Sequence, residues 1–390
     1  MSYIHREITV SLTKYLKNFP AVAVLGPRQC GKSTLVKHLT KDLKDAIYLD
    51  LEKMDDRARL SEPELFFKLN RRKLICLDEI QRMPEIFRVL RSVIDENDRN
   101  WQFLISGSAS RDLILQSSET LAGRIIYMHL TPFTYTELIK KVPFDFDTLV
   151  EYQLRGGFPR SYLAKDADLS FTWRKSFIES FLQRDLPQMG IHIPPELALR
   201  LWKMCAHSQG QLLNASKFGE SLGINYQTIK KYLDIFQGTF MLRLLPPFYP
   251  NIKKRLVKSP KIYIRDTGIL HALLNIVSIN ELLGHPVFGP SWETIVIENI
   301  LQKYSDWDFG FYRTSHGAEI DLILQKGQKR IAIECKVSIA PKLSKGFYSA
   351  LEDLNINEAW VIAPIDGPSY PLNSKVNVIS LGEFLNQTIS

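Results

Sequence analysis

Cysteine is scarce in this chain. The four residues Cys30, Cys76, Cys205 and Cys335 lie far apart and form no Cys-x-x-Cys pair, which excludes a disulfide framework and gives no zinc or redox centre. They read as the reduced thiols of a cytoplasmic protein. No stretch approaches the roughly 18 uninterrupted apolar residues of a membrane span, so no membrane partner is expected. Met1–Arg6 lack the charged, apolar and cleavage regions of a signal peptide, and export is not expected. The eight histidines show no metal-ligand spacing, and there is no internal repeat or low-complexity run.

What is present is length and a placed charge. At 390 residues the chain exceeds one ordinary core and suffices for two to four domains. Its formal charge of +8 is concentrated: residues 226–265 hold Lys230, Lys231, Arg243, Lys253, Lys254, Arg255, Lys258, Lys261 and Arg265 against only Asp234. A basic segment of this kind points to a polyanion partner.

The first 130 residues alternate short apolar runs with helical patterns, the signature of a parallel α/β sheet. Strands are predicted at 22–25, 47–51, 74–77, 103–106 and 125–130, after an opening helix with Ile8, Leu12, Tyr15, Leu16 and Phe19 on one face. From Phe133 to about Asp185 the period turns helical, with Trp173, Phe177, Ile178, Phe181 and Leu182 on one amphipathic helix. A helix, turn, helix and two apolar strands then run from Leu212 to Phe248, and Asn225 caps the second helix. Gly284 to Pro290 reads as a hinge before a last α/β unit, with a helix from about Trp292 and strands at 309–313, 319–324, 331–337 and 360–363.

Gly26-Pro27-Arg28-Gln29-Cys30-Gly31-Lys32-Ser33 fits G-x-x-x-x-G-K-[ST], directly after a strand and before a helix. This loop and Thr34 behind it are expected to bind ATP. The glycines turn backbone N–H groups onto phosphate oxygens, Lys32 reaches the β and γ phosphates, and Ser33 ligates Mg2+. Leu74-Ile-Cys-Leu-Asp78-Glu79 is an apolar strand ending in two acids. There Asp78 is expected to hold magnesium through water, and Glu79 to act as general base. Ser106 and Ser108 close the next strand, where a hydroxyl can sense the γ-phosphate or simply make a turn. Arg124, just before the fifth strand, is either an arginine finger for a second copy of this chain or half of a surface ion pair.

Towards the end of the chain, Glu319-Ile-Asp321 on one strand is followed, after twelve residues, by Ile333-Glu334-Cys-Lys336 on the next. Alternation puts Glu334 and Lys336 on one face, so Asp321 and Glu334 can hold Mg2+ or Mn2+ while Lys336 positions water. Glu293 on the preceding helix is an additional candidate ligand, ahead of Glu298.

The runs FPAVAVLGPRQCGKSTL, LDEIQ, LISGSAS, LAGR and GGFPRSYL together resemble the prokaryotic AAA-type ATPases related to the archaeal-ATPase and STAND groups. That resemblance implies that Gly157 and Pro159 are lid contacts to the nucleotide, with Arg160 a possible second sensor. The D, E-x-K order resembles the PD-(D/E)XK nuclease-like fold, in which such ATPases typically end, although Ile320 stands where the motif has proline. The expected fold class is therefore α/β: a P-loop AAA-type parallel core (1–131), a helical lid (132–190), a winged-helix domain (191–265), a connector (266–288) and a restriction-endonuclease-like α/β domain (289–390). Exposed Gln227, Thr228, Lys230 and Lys231, with Lys253, Lys254 and Arg255 of the wing, are expected to meet DNA. Two functions follow: an ATPase that binds DNA and cleaves it through the magnesium-dependent terminal domain, or a nucleotide-dependent regulatory switch whose terminal domain binds without cleavage.

Overall fold

The computed structural model describes residues 3–41, 43–108, 121–139, 146–248 and 256–387. They fall into two compact units, residues 1–133 with 238–240, and residues 134–237 with 241–390.

The first unit is built on five parallel strands in the order β2-β3-β4-β1-β5: β1 (Ala21–Gly26), β2 (Ala46–Asp50), β3 (Leu74–Asp78), β4 (Phe103–Ser108) and β5 (Ile125–His129). These are the strands the apolar runs predicted, to within two residues at each end. β1, β3 and β4 are buried throughout, as near-continuous hydrophobic runs in a covered parallel sheet must be. Leu25, Leu49, Leu77 and Ile105 join Leu90 and Ile94 of the helix Ile86–Asn97 in one core. β1 lies between β4 and β5, so the chain leaves β1 at the point where strand order reverses, and there the carboxyl ends of the strands open a crevice.

In the second unit, helices cover residues 146–155, 167–180 and 195–207, and their aromatic side chains make a continuous stack. Phe158 meets Trp173 and Phe177, and Phe181 meets Phe177, Trp202 and Phe236. The helices Ala215–Leu222 and Tyr226–Gly238 form the expected helix-turn-helix. Asn214 caps the first, accepting from the Lys217 amide at 3.0 Å, and Asn225 accepts from the Thr228 amide at 2.8 Å. β6 (Leu242–Leu245) then pairs antiparallel with β7 (Lys261–Ile264).

The stretch expected as a connector holds two helices, Thr267–Leu273 and Ile279–Leu283. The expected hinge runs into a helix that starts at Phe288 rather than Trp292, because Gly289 and Pro290 fall in its first turn, where proline lacks no needed N–H. A six-stranded mixed sheet completes the unit in the order β12-β13-β11-β10-β9-β8: β8 (Asp308–Arg313), β9 (Glu319–Lys326), β10 (Lys329–Cys335), β11 (Ala359–Ile362), β12 (Tyr370–Pro371) and β13 (Val376–Ile379). β8, β9 and β10 are antiparallel neighbours, whereas β10, β11 and β13 run parallel, with the helix Lys345–Leu354 crossing between β10 and β11. No helix among the described residues is long and apolar enough to cross a membrane.

Candidate functional site

The loop after β1 turns through Gln29 at φ 63° and Gly31 at φ 103°, a left-handed stretch that aims successive amides inward before the helix Lys32–Thr40 begins. The turn is anchored from behind. Buried Arg6 donates to the Cys30 carbonyl at 3.0 Å and to the Thr131 carbonyl at 2.7 Å. Cys30 is itself buried, and burial pushes its thiol up, so it is packing rather than a reactive group. Lys32 Nζ, also buried, donates to the carbonyls of Gly26 at 3.0 Å and Pro27 at 2.7 Å. Its ammonium thus lies within the loop. Arg28 is partly buried and pairs with Glu52 at 3.4 Å, Ser33 is half-buried, and Gln29 and Thr34 are exposed.

Register brings the other groups to the same sheet edge. Leu77 faces Ile105 and Gly26 faces Ser108, so Asp78 and Ser106 emerge beside the loop. Asp78 is buried and accepts from the hydroxyls of Ser106 and Tyr48 and from the Glu79 amide at 3.1 Å. Glu79 takes a left-handed φ of 57° and accepts from the Gln81 amide group. Burial raises its carboxyl above the usual range, against the pull of Lys32, Gln81 and Arg28. A raised carboxyl at this edge suits a general base. One ammonium, the Ser33 hydroxyl and the Asp78 and Glu79 carboxylates around a left-handed amide turn form a donor set that fits a magnesium nucleotide.

Arg124, Gly157 and Pro159 are the other residues expected to serve the nucleotide. Arg124 makes a two-pronged pair with Asp95, at 2.5 and 3.0 Å, on the outer side of the first unit. Gly157 and Pro159 belong to the second unit. The Gly157 amide donates to Asp266 at 2.8 Å, while Pro159 opens a one-turn helix that carries Arg160.

The second unit gathers four carboxylates about two ammoniums, Lys261 for Glu293, Glu319 and Asp321, and Lys336 for Glu334. Asp321 on β9 lies opposite Glu334 on β10, one step beyond the pair Leu322–Ile333, and Lys336 Nζ donates to Glu334 Oε1 at 2.8 Å. The sequence pattern predicted this trio, with Glu293 beside it. It did not predict Lys261, which reaches in from β7. Buried Lys261 Nζ lies 2.8 Å from Glu319 Oε1, 3.3 Å from Asp321 Oδ1 and 3.4 Å from Glu293 Oε1, with Tyr263 also donating to Glu293 Oε1. Burial opposes the Lys261 charge, but the carboxylates hold its pKa well above the ordinary lysine range. Burial and the Asp321 charge push Glu293 up to about 7 and Glu334 up to about 8. The signal available in the sequence was a lone lysine on the apolar strand Lys261-Ile-Tyr-Ile.

Whether this set fits a divalent ion depends on its free oxygens. Both Asp321 oxygens are engaged, Oδ1 by Lys261 and Oδ2 by the Cys335 amide at 3.0 Å; Glu334 Oε2 is buried without a hydrogen-bond partner. As arranged, the carboxylates converge on an ammonium and do not fit a divalent ion, and no group of three or more His, Cys, Asp or Glu among the described residues forms a metal-ligand cluster. Glu298 is no ligand. Burial works against its carboxylate, yet the guanidinium groups of Arg243 and Arg265 around it hold it down at about 2.

Lys261, Arg243 and Arg265 therefore leave the expected DNA-facing charge and act as internal counter-ions. On the helix Tyr226–Gly238, Gln227, Lys230 and Lys231 are exposed and Thr228 is half-buried. Lys253, Lys254 and Arg255 lie outside the described residues.

Residues 18–139 match the AAA domain family, and residues 146–279 and 288–384 match two domains of unknown function, DUF8612 and DUF4143. Among solved structures, the Walker-type ATPase PABY2304 of Pyrococcus abyssi is similar with a TM-score of 0.49 and 14% identity over 70% of this chain and 96% of that one. Uncharacterized protein Rv2008c of Mycobacterium tuberculosis and uncharacterized protein Mb2031c of Mycobacterium bovis are each 36% identical over 380 residues, 97% of this chain and 84% of theirs. The chain is an AAA-type P-loop ATPase, and it belongs to the same family as these two mycobacterial proteins.

Proposed function

We propose that the chain hydrolyses ATP to control a DNA-binding second unit that carries a latent phosphodiester-cleaving site. The observation that carries the reading is the meeting of Lys32, Ser33, Asp78, Glu79 and Ser106 at one edge of the parallel sheet. In hydrolysis the loop amides and Lys32 hold the β and γ phosphates. Glu79 takes the proton of the attacking water as the new P–O bond forms and ADP leaves. Magnesium, when bound near Ser33 and Asp78, supplies charge neutralisation between the phosphates. Ser106 keeps the Asp78 carboxylate oriented. Arg124 completes the charge around a neighbouring copy's γ-phosphate after release from Asp95; if mixing Arg124→Ala with a Lys32→Ala subunit restores no activity, and Arg124→Ala alone is fully active, that part fails.

DNA contact is assigned to Gln227, Thr228, Lys230 and Lys231 of a winged helix, with Lys253, Lys254 and Arg255 on phosphates. The test is ATP hydrolysis with and without duplex DNA, together with plasmid cleavage in Mg2+ or Mn2+ by the wild type, Asp321→Ala and Lys336→Ala. Stimulation of hydrolysis by DNA is the expected result, and any cleavage that appears should be lost in both variants. The engagement of Asp321 by Lys261 favours a second reading, a regulatory switch whose terminal domain binds without cutting. No cleavage and no stimulation by DNA would decide for it.

A further inference from the structure

The four-carboxylate cluster is assembled from two pieces of chain that are far apart in sequence. Glu293, Glu319, Asp321 and Glu334 come from the helix Phe288–Lys303 and the six-stranded sheet, whereas their central cation comes from β7, the partner of β6 behind the helix-turn-helix. Two ammoniums, Lys261 and Lys336, and the guanidinium of Arg313, 3.6 Å from Glu319 Oε2, serve four carboxylates, and Glu334, only 7% exposed, keeps Oε2 without a partner. The cluster therefore remains short of positive charge.

An ammonium and a divalent ion cannot share this focus. Lys261 stands 2.8–3.4 Å from its oxygens, whereas magnesium–oxygen distances are about 2.0–2.1 Å. A divalent ion on Asp321 Oδ1 and Glu334 Oε2 must draw the oxygens inward and meet the Lys261 charge at close range. Asp321 Oδ2, fixed by the Cys335 amide, holds the carboxylate in place for either cation.

We infer that the Lys261 ammonium stands in the place of a divalent cation at Asp321 and Glu334, so that the terminal site as folded is closed to metal by a residue of its own chain. This rests on reading Asp321 and Glu334 as metal ligands, and it adds the element that blocks them.

The test is Mn2+ binding to the full-length protein, followed by the loss of the free-ion paramagnetic resonance signal and by the metal-dependent rise in melting temperature. Lys261→Met is expected to bind Mn2+ at least about ten-fold more tightly than the wild type, because a unit charge a few ångströms away has been removed. Lys261→Met/Asp321→Asn is expected to lose that gain. Should Lys261→Met fail to fold with four acids facing one another, Lys261→Met/Glu319→Gln removes one of them and is expected to show the same gain. Equal, tight binding by wild type and both Lys261 variants would overturn the blocking role of Lys261 and leave the metal ligands standing. Binding by none of them would overturn both.

Discussion

His271 is fully buried in the helix Thr267–Leu273 and bridges two distant parts of the second unit. Its Nδ1 lies 3.2 Å from the Leu154 carbonyl and its Nε2 3.0 Å from Ser291 Oγ. A carbonyl only accepts, so Nδ1 carries the proton and Nε2 accepts from the Ser291 hydroxyl. A second proton on Nε2 would break that acceptance, charge a ring without water, and face Arg174 and His285. Burial, more than these charges, pushes the ring down to about 3 from an ordinary 6.5. A depressed folded value means stability that is present in full above pH 6.5 and is lost as pH falls towards 3. At pH 5 the unfolded ring is protonated and the folded ring is not, and at about 1.36 kcal/mol per pH unit the loss is roughly 2 kcal/mol relative to pH 7. Urea unfolding at the two pH values, followed by the fluorescence of Trp173, Trp202 and Trp292, reads it. His271→Gln loses packing equally at both, so the wild type should fall by about 2 kcal/mol more than the variant between pH 7 and 5. The difference also removes the opposite contribution of Glu293 and Glu334, whose raised carboxyls favour the folded state on acidification. Parallel losses in the two proteins would refute the assignment of a neutral His271.

Glu79→Gln should leave ATP binding nearly intact while slowing hydrolysis by about 100-fold or more, measured as phosphate release against nucleotide titration; unchanged turnover would remove Glu79 as the base. Glu298→Ala strands Arg243 and Arg265 in a buried site and should destabilise the second unit by about 3–5 kcal/mol in thermal or urea melts. An unchanged midpoint would mean that the two guanidinium groups reach water. A Cβ on Gly26 would stand 2.1 Å from the Leu130 carbonyl oxygen, so Gly26→Ala should cost about 1–3 kcal/mol in the first unit. A change below about 0.5 kcal/mol would show that the Leu130 backbone yields freely there.

The parallel core was legible because its strands are buried on both faces and appear as unbroken apolar runs between turn signals. The P-loop and the Asp78–Glu79 strand end were legible because the chemistry fixes residue types at fixed spacing. The D, E-x-K strands were readable for the same reason, since alternation alone puts Glu334 and Lys336 on one face. Lys261 was not readable. A lysine at the start of an apolar strand looks the same whether its ammonium reaches water or folds into acids some 30 to 70 residues later, and only packing decides. Arg243 and Arg265 were misleading for a related reason. Formal charge counts them with the surface lysines of residues 226–265, yet both are spent on one glutamate across the sequence. The two helices of residues 266–288 were hidden by shortness, each being less than two full turns, and the short strands β12 and β13 by their exposed or brief patterns.

The Glu298 clamp also bears on how such a protein can be cut, fused or inherited. Residue 288, where the family boundary falls, separates Arg243, Lys261 and Arg265 from Glu293, Glu298 and Asp321. A fragment ending there would expose three cations whose counter-ions had gone, and a fragment beginning there would carry naked acids into its own interior. The terminal sheet keeps its counter-ions only together with β6, β7 and the residue that follows them, so its charge balance is written across the boundary between the two matched regions.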